Sequence, residues 1–199
     1  AANADVRSLF HRVKDKIADQ MEFEAEMIVP QEATDDLGMI AKATARFLRY
    51  TLVLRYRETS EPVAGQRVPI EIMKEELVGI PLKQAGRHLL FPHNVAQWRK
   101  TALKVASRGN RKAPYISTED DGKNRIIKLH GDGGSRGPAV SNPATQPRTV
   151  LSVVNAAENP TVLCAKREME SWRLLQLEPA ALREPDPVYA AIHLDANGA

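Results

Sequence analysis

Between residues 21 and 29 apolar and acidic side chains alternate. Met21, Phe23, Ala25, Met27 and Val29 fall on one face, and Glu22, Glu24 and Glu26 on the other. A period of two with one charged face predicts a half-buried β-strand. Residues 47–57 repeat the pattern with the opposite sign: Leu48, Tyr50, Leu52, Leu54 and Tyr56 share a face, and Arg49, Thr51, Arg55 and Arg57 share the other. Paired antiparallel, the two strands would set opposite charges across from each other, each pair contributing roughly 0.2–1 kcal/mol. These arginines therefore read as structural. Residues 68–80 are less regular, but Ile70, Ile72 and Glu75-Glu76-Leu77-Val78 suit a third strand. Two β-rich arms, 113–118 and 125–130, flank Asp121-Gly122 and predict a hairpin.

Helical spacing appears in three places. Val6, Leu9, Phe10, Val13 and Ile17 recur three and four apart and predict a helix over residues 5–17. Residues 93–106 predict a second, capped by Asn94, with Val95, Trp98, Ala102 and Val105 as its buried stripe. Asn159-Pro160 supplies a cap and a first-turn proline for a third, buried through Val162, Ala165, Met169 and Trp172. Residues 149–154 are an apolar run. Pro30 and residues 34–36 read as a loop, residues 59–65 as a turn, and residues 131–148, rich in Gly and Pro, as a flexible loop. After Trp172 the expectation is a brief helix at 178–183, a strand at 192–194 and a turn.

Composition narrows the function classes only a little. The 199 residues suit one domain or part of a larger one, and a net charge of +3 permits nucleic acid as a partner without demanding it. One cysteine, Cys164, excludes an intramolecular disulfide framework and suits a reducing, cytoplasmic setting. No apolar run reaches membrane-span length, so no membrane partner is expected. Both ends, Ala1 and Asn197-Gly198-Ala199, read as cuts through a longer gene product.

Candidate chemistry is sparse. Glu75 and Glu76 would be a general base or magnesium ligand only if an apolar strand delivered them, and they read instead as a solvated face. The densest positive patch is Arg99, Lys100, Lys104, Arg108, Arg111 and Lys112, a possible contact for a nucleic-acid backbone. Residues 131–137 match neither GxxxxGK[ST] nor GxGxxG and read as a loop rather than a nucleotide site. Cys164 falls inside a helix with no adjacent histidine and reads as a small buried apolar residue. The five histidines lack metal-ligand spacing, and GxSxG is absent. No catalytic, cofactor-binding or metal residue is assigned.

Two stretches carry a resemblance. One is Trp172, the apolar Leu174, Leu175 and Leu177, the turn Leu182-Arg183-Glu184-Pro185, and Leu194-Asp195-Ala196-Asn197-Gly198. The other is Phe47-Leu48-Arg49-Tyr50-Thr51-Leu52 followed by Glu75-Glu76-Leu77. Together they resemble bacterial AAA-type ATPases with ABC-class heads, similar to RecF and the structural-maintenance-of-chromosomes proteins. The resemblance implies an α+β fold, the antiparallel-sheet-rich part of the first lobe of a P-loop ATPase head. Residues 1–130 would form a strand-rich lobe with an inserted helix, and residues 149–199 a helix leading toward the second lobe. It further implies ATP and Mg2+ as cofactors of a longer parent protein, none bound by this segment alone. The parent would act as a homodimer of heads, in DNA repair, chromosome maintenance or phage defence. Walker A, Walker B and signature motifs have no match here. The competing readings are a non-enzymatic nucleic-acid-binding module using residues 99–112 and a purely structural domain.

Overall fold

A computed structural model describes residues 6–57, 70–101, 113–120, 125–132, 139–141, 148–174, 179–180 and 183. The fold is mixed α+β. Its strands are β1 (Arg12–Val13), β2 (Lys16–Ile17), β3 (Gln20–Ile28), β4 (Glu32–Thr34), β5 (Ile40–Lys42), β6 (Phe47–Tyr56), β7 (Ile70–Gly79), β8 (Ile116–Asp120), β9 (Arg125–Leu129) and β10 (Ala139–Ser141). Its helices are α1 (Ala85–His88), α2 (Val95–Lys100) and α3 (Pro160–Ser171), with 3-10 turns at Val6–Leu9 and Val150–Val153.

The frame is one six-stranded antiparallel sheet in the order β10-β9-β8-β7-β6-β3. The alternating stretches at 21–29 and 47–57 are neighbours within it, paired from Gln20–Arg55 to Ile28–Phe47. The expected charge pairing forms at one position, where Arg49 lies directly across from Glu26 and bonds it, with Glu24 at 3.6 Å. Glu22 and Glu24 lie across from Val53 and Thr51, and Arg55 lies across from Gln20 and bonds Glu71 of β7 instead. The hairpin on either side of Asp121-Gly122 forms as β8 and β9, although the turn itself lies outside the described residues.

Both faces of the sheet carry apolar packing, because alternation on β6 sends Leu48 and Tyr50 one way and Phe47 the other. On the first face Met27, Leu48, Tyr50, Ile72, Leu77, Ile116 and Ile127 close against Val150, Leu151 and the Val162–Ala165 side of α3. Each such aliphatic side chain, fully buried, contributes about 1.5–3 kcal/mol. On the second face Phe47 and Ile80 gather Ile28, Leu89 and Trp98 from the α1–α2 segment.

β7 is irregular for a definite reason. Val53 pairs with Lys74 and Leu54 with Ile72, so Met73 is an extra residue on the β7 side. A bulge of this kind shifts the alternation by one. Before it Ile72 faces the main core, and after it Glu75 and Leu77 do.

Four expectations are corrected. Residues 5–17 are not a helix. After the 3-10 turn they form the small β1–β2 hairpin, with Lys14 at φ 53°. Of the helical stripe only Phe10 is buried, edge-on to the Tyr56 ring, while Leu9 and Val13 are exposed. An isolated helix this short gains too little from one buried side chain to persist. The loop expected around Pro30 and residues 34–36 contains a second hairpin, β4–β5, packed beneath α3. Its turn is held by Asp35, whose Oδ1 accepts the N–H groups of Leu37 and Met39 at 2.9 Å, and by Gly38 at φ +82°.

The third correction falls in the loop assigned to 131–148. Residues 139–141 are a strand on β9, and Asp132 is anchored to α3. The fourth concerns the two helical stripes. Asn94 does cap α2, accepting from Gln97 N–H at 3.1 Å, but Val95 is exposed. Trp172, the last position of the α3 stripe, is 46% exposed, whereas Val162 and Ala165 are buried and Met169 partly so. Cys164 is fully buried on α3, and burial pushes its thiol up to about 11. The turn expected at 59–65, the second half of the 93–106 helix and the strand at 192–194 lie outside the described residues.

Candidate functional site

The Met73 bulge carries Glu75 into the main core, where it is fully buried. Its Oε2 accepts the Val150 N–H and its Oε1 the Leu151 N–H, both at 2.8 Å, and the Tyr50 hydroxyl donates to Oε1 at 3.3 Å. Val150 and Leu151 open a 3-10 turn, whose first N–H groups have no partner within the turn. Thr149 makes no side-chain cap there. Glu75 caps it from across the core. Burial pushes its carboxyl above the ordinary value, and the hydrogen bonds from Leu151, Val150 and Tyr50 pull it part of the way back. The Tyr50 phenol is also pushed up, by burial first and then by the adjacent Glu75 charge. The solvated-face reading thus fails for Glu75. Glu76, on the other face, is partly exposed and pairs with Lys74 at 2.9 Å.

A second polar centre joins α3 to the sheet. Asp132 Oδ2 accepts from Thr44 Oγ1 at 2.9 Å, from the Thr161 N–H at 3.2 Å and from Thr161 Oγ1. Thr44 N–H donates to Thr161 Oγ1 at 2.8 Å, and the Thr44 and Tyr115 hydroxyls lie 3.1 Å apart. Asn159 occupies the N-cap position of α3 but makes no side-chain capping bond; Asp132 takes that place. Negative charge at this helix end also suits the peptide dipoles.

Among the described residues lies a surface recess, a cavity of about 370 Å³ bounded by Glu26, Phe47, His88, Leu89, Glu168 and Trp172. His88 Nδ1 lies 2.8 and 2.9 Å from the two Glu26 carboxylate oxygens, and its ring meets Phe47 edge-on at 5.8 Å. Trp172 Nε1 donates to Glu168 Oε1 at 3.1 Å. Burial raises the Glu26 carboxyl, but the hydrogen bonds and charges of Arg49 and His88 outweigh it and hold the group below its ordinary value.

The basic residues singled out from the sequence are not assembled into a surface by the described part of the chain. Lys100 is exposed at the end of α2 and the Arg99 backbone belongs to that helix, while Lys104, Arg108, Arg111 and Lys112 lie outside the described residues. Glu75, the carboxylate buried in the main core, fits no magnesium or nucleotide role. Both Glu75 oxygens are engaged by protein donors, and Asp132, which opens the Gly-rich stretch, is turned inward onto Thr44 and Thr161. Among the described residues no group of three or more His, Cys, Asp or Glu side chains is placed to hold a metal ion, and no helix is long and apolar enough to cross a membrane.

Sequence reading missed both polar centres. A charged residue in a strand reads as outward-facing, and only the parity break between Ile72 and Leu77 signals that Glu75 turns in. Asp132 left no comparable signal, because its partners Thr44 and Thr161 are far away along the chain. No protein-family model, curated protein or solved structure matches the chain.

Proposed function

We propose that this chain is the antiparallel-sheet scaffold of an ATP-hydrolysing head of the RecF and structural-maintenance-of-chromosomes type. The observation that carries the proposal is the direct pairing of the two strands that make up one of the two resembling stretches. Arg49, Tyr50 and Thr51 of the Phe-Leu-Arg-Tyr strand sit across from Val78, Leu77 and Glu76 of the Glu-Glu-Leu strand. The two strands of that stretch are therefore neighbours in one sheet, while most of the other resembling stretch, residues 172–198, lies outside the described residues. The inward commitment of Glu75 and Asp132 agrees with a supporting role, in which the groups that hold ATP and Mg2+ come from elsewhere in a longer cytoplasmic protein. Such heads work as homodimers around nucleotide, with DNA as the substrate acted on in repair, chromosome maintenance or phage defence.

Phosphate release and ATP affinity, measured side by side on residues 1–199 and on the longer gene product, test the reading. The expected result is no turnover by residues 1–199 and slow, Mg2+-dependent turnover by the longer chain, because phosphoryl transfer requires a phosphate cradle, a lysine and a metal-binding carboxylate fixed together. Micromolar ATP binding by residues 1–199 would overturn it, and so would a longer chain inert toward ATP.

A further inference from the structure

β3 is the long outer strand of the sheet. Its inner side pairs with β6 residue by residue, and among the described residues no strand lies along its outer side. In an antiparallel pair every second residue turns its N–H and C=O away from its neighbour. The bonds just beyond the two ends of β3 fix which residues these are. The Tyr56 N–H donates to the Asp19 carbonyl at 3.3 Å, and the Val29 N–H donates to the Arg46 carbonyl at 2.8 Å. Carried along the same register, Met21, Phe23, Ala25 and Met27 direct their backbone groups toward β6. The backbone N–H and C=O groups of Glu22, Glu24 and Glu26 point outward.

The outward backbone and the acidic row thus belong to the same three residues, all of them exposed. The opposite face of the strand adds Phe23, itself 51% exposed. Arg49 and His88 engage Glu26, and Arg49 comes within 3.6 Å of Glu24, leaving a surplus of negative charge toward Glu22. The cavity bounded by Glu26 and Trp172 lies at the far end of the strand.

We propose that the outer edge of β3 accepts an added antiparallel strand from a protein segment in which basic and apolar residues alternate. Backbone pairing along an exposed edge supplies affinity, and side-chain chemistry on the two faces supplies selection. Basic residues of the incoming strand fall beside Glu22, Glu24 and Glu26, and its apolar residues fall beside Met21 and Phe23. Charge argues against a second copy of β3 as the occupant. Because the outward groups sit on the glutamates, antiparallel self-pairing would set glutamate against glutamate, which is destabilising.

The test uses an acetylated, amidated peptide alternating lysine and valine, as long as β3, added to isotopically labelled chain and followed by amide hydrogen exchange. Saturable binding is expected, with the Glu22, Glu24 and Glu26 amides slowed about tenfold or more, as amides entering a ladder are. The Met21, Phe23 and Ala25 amides, already bonded to β6, should not change. Combined Glu22→Gln and Glu24→Gln should weaken binding by about threefold for each carboxylate removed. Glu24→Pro removes an outward N–H and none of the bonds to β6. It should abolish the new protection while the β6 amides stay native, and if it fails to fold the glutamine variant still decides. No binding, binding without protection at alternate residues, or equal protection by a glutamate–valine peptide would each overturn the proposal.

Discussion

Glu75→Ala is expected to lower stability by about 3–5 kcal/mol, from two orphaned buried donors and the cavity left behind, or on the order of 10 °C in Tm for a chain of this size. The substitution strips the partner from the Val150 and Leu151 N–H groups at once and leaves both inside the core. Each orphaned donor costs about 1–3 kcal/mol, and the lost side-chain volume adds a cavity. Glu75→Gln keeps the volume and one acceptor oxygen but turns an NH2 toward a backbone N–H, so its cost should fall near 1–3 kcal/mol. Urea unfolding of the three proteins, with unchanged slopes, checks the order. An alanine variant within 1 kcal/mol of the original would refute the capping role.

The same pair of variants carries a pH signature. Burial holds the folded Glu75 carboxyl above its ordinary value of 4.5, so the folded chain keeps that proton to higher pH than the unfolded chain does. Its favourable contribution is complete below the unfolded value and is lost as pH rises through the folded one. Glu26, Asp35 and Asp36 are held below their ordinary values, so their contributions are present above those values and are lost on acidification. Subtracting the Glu75→Gln profile from the original removes the second group and leaves a difference that falls with rising pH from about 4.5 upward. A difference that rises over that window would mean the hydrogen bonds, not burial, control the carboxyl.

The second large effect is expected at Asp132. Asp132→Ala removes the acceptor shared by Thr44 Oγ1, Thr161 Oγ1 and the Thr161 N–H, for a loss of about 2–4 kcal/mol. Amide exchange in the first turn of α3, at Thr161 and Val162, should accelerate more than exchange on β6. Because Thr44 and Asp132 belong to one network, the double variant with Thr44→Val should be non-additive by about 0.5–3 kcal/mol. Strict additivity would show that the two side chains act separately.

The parts of this fold legible in the sequence are those in which a local period meets a matching neighbour. The acidic face of β3 and the basic face of β6 told both the strand identity and the partner, and Asn159-Pro160 told where α3 begins. The N-terminal stripe had an equally good period and was wrong, because Val6, Leu9 and Val13 find no surface to cover and only Phe10 reaches a ring. At β7 the strand was legible but the bulge disguised its facing: dropping Met73 from the count restores the alternation and turns Glu75 inward. The polar centres were illegible for a different reason. A carboxylate that caps a helix from another strand is identified by three-dimensional neighbours, and residues such as Asp132 and Thr161 have no fixed spacing. For the basic segment, the sequence offers charge density alone, which cannot separate a solvated face from a phosphate-binding one.

The burial of Cys164 makes the chain report on its own opening. It is the single thiol in the sequence, and the helix that carries it closes the main core. A reagent in neutral solution meets two obstacles in the folded state. The sulfur is inaccessible, and with the thiol raised to about 11 only on the order of one in ten thousand is thiolate. Both obstacles disappear together when α3 leaves the sheet, where an ordinary thiol near 8.5 reacts readily. Alkylation of Cys164 is therefore a clock for detachment of α3, ticking at the rate of that motion when reagent is abundant and at its equilibrium when reagent is scarce. Read in the Glu75 and Asp132 variants, the clock would distinguish loosening of the helix anchor from loosening of the sheet beneath it.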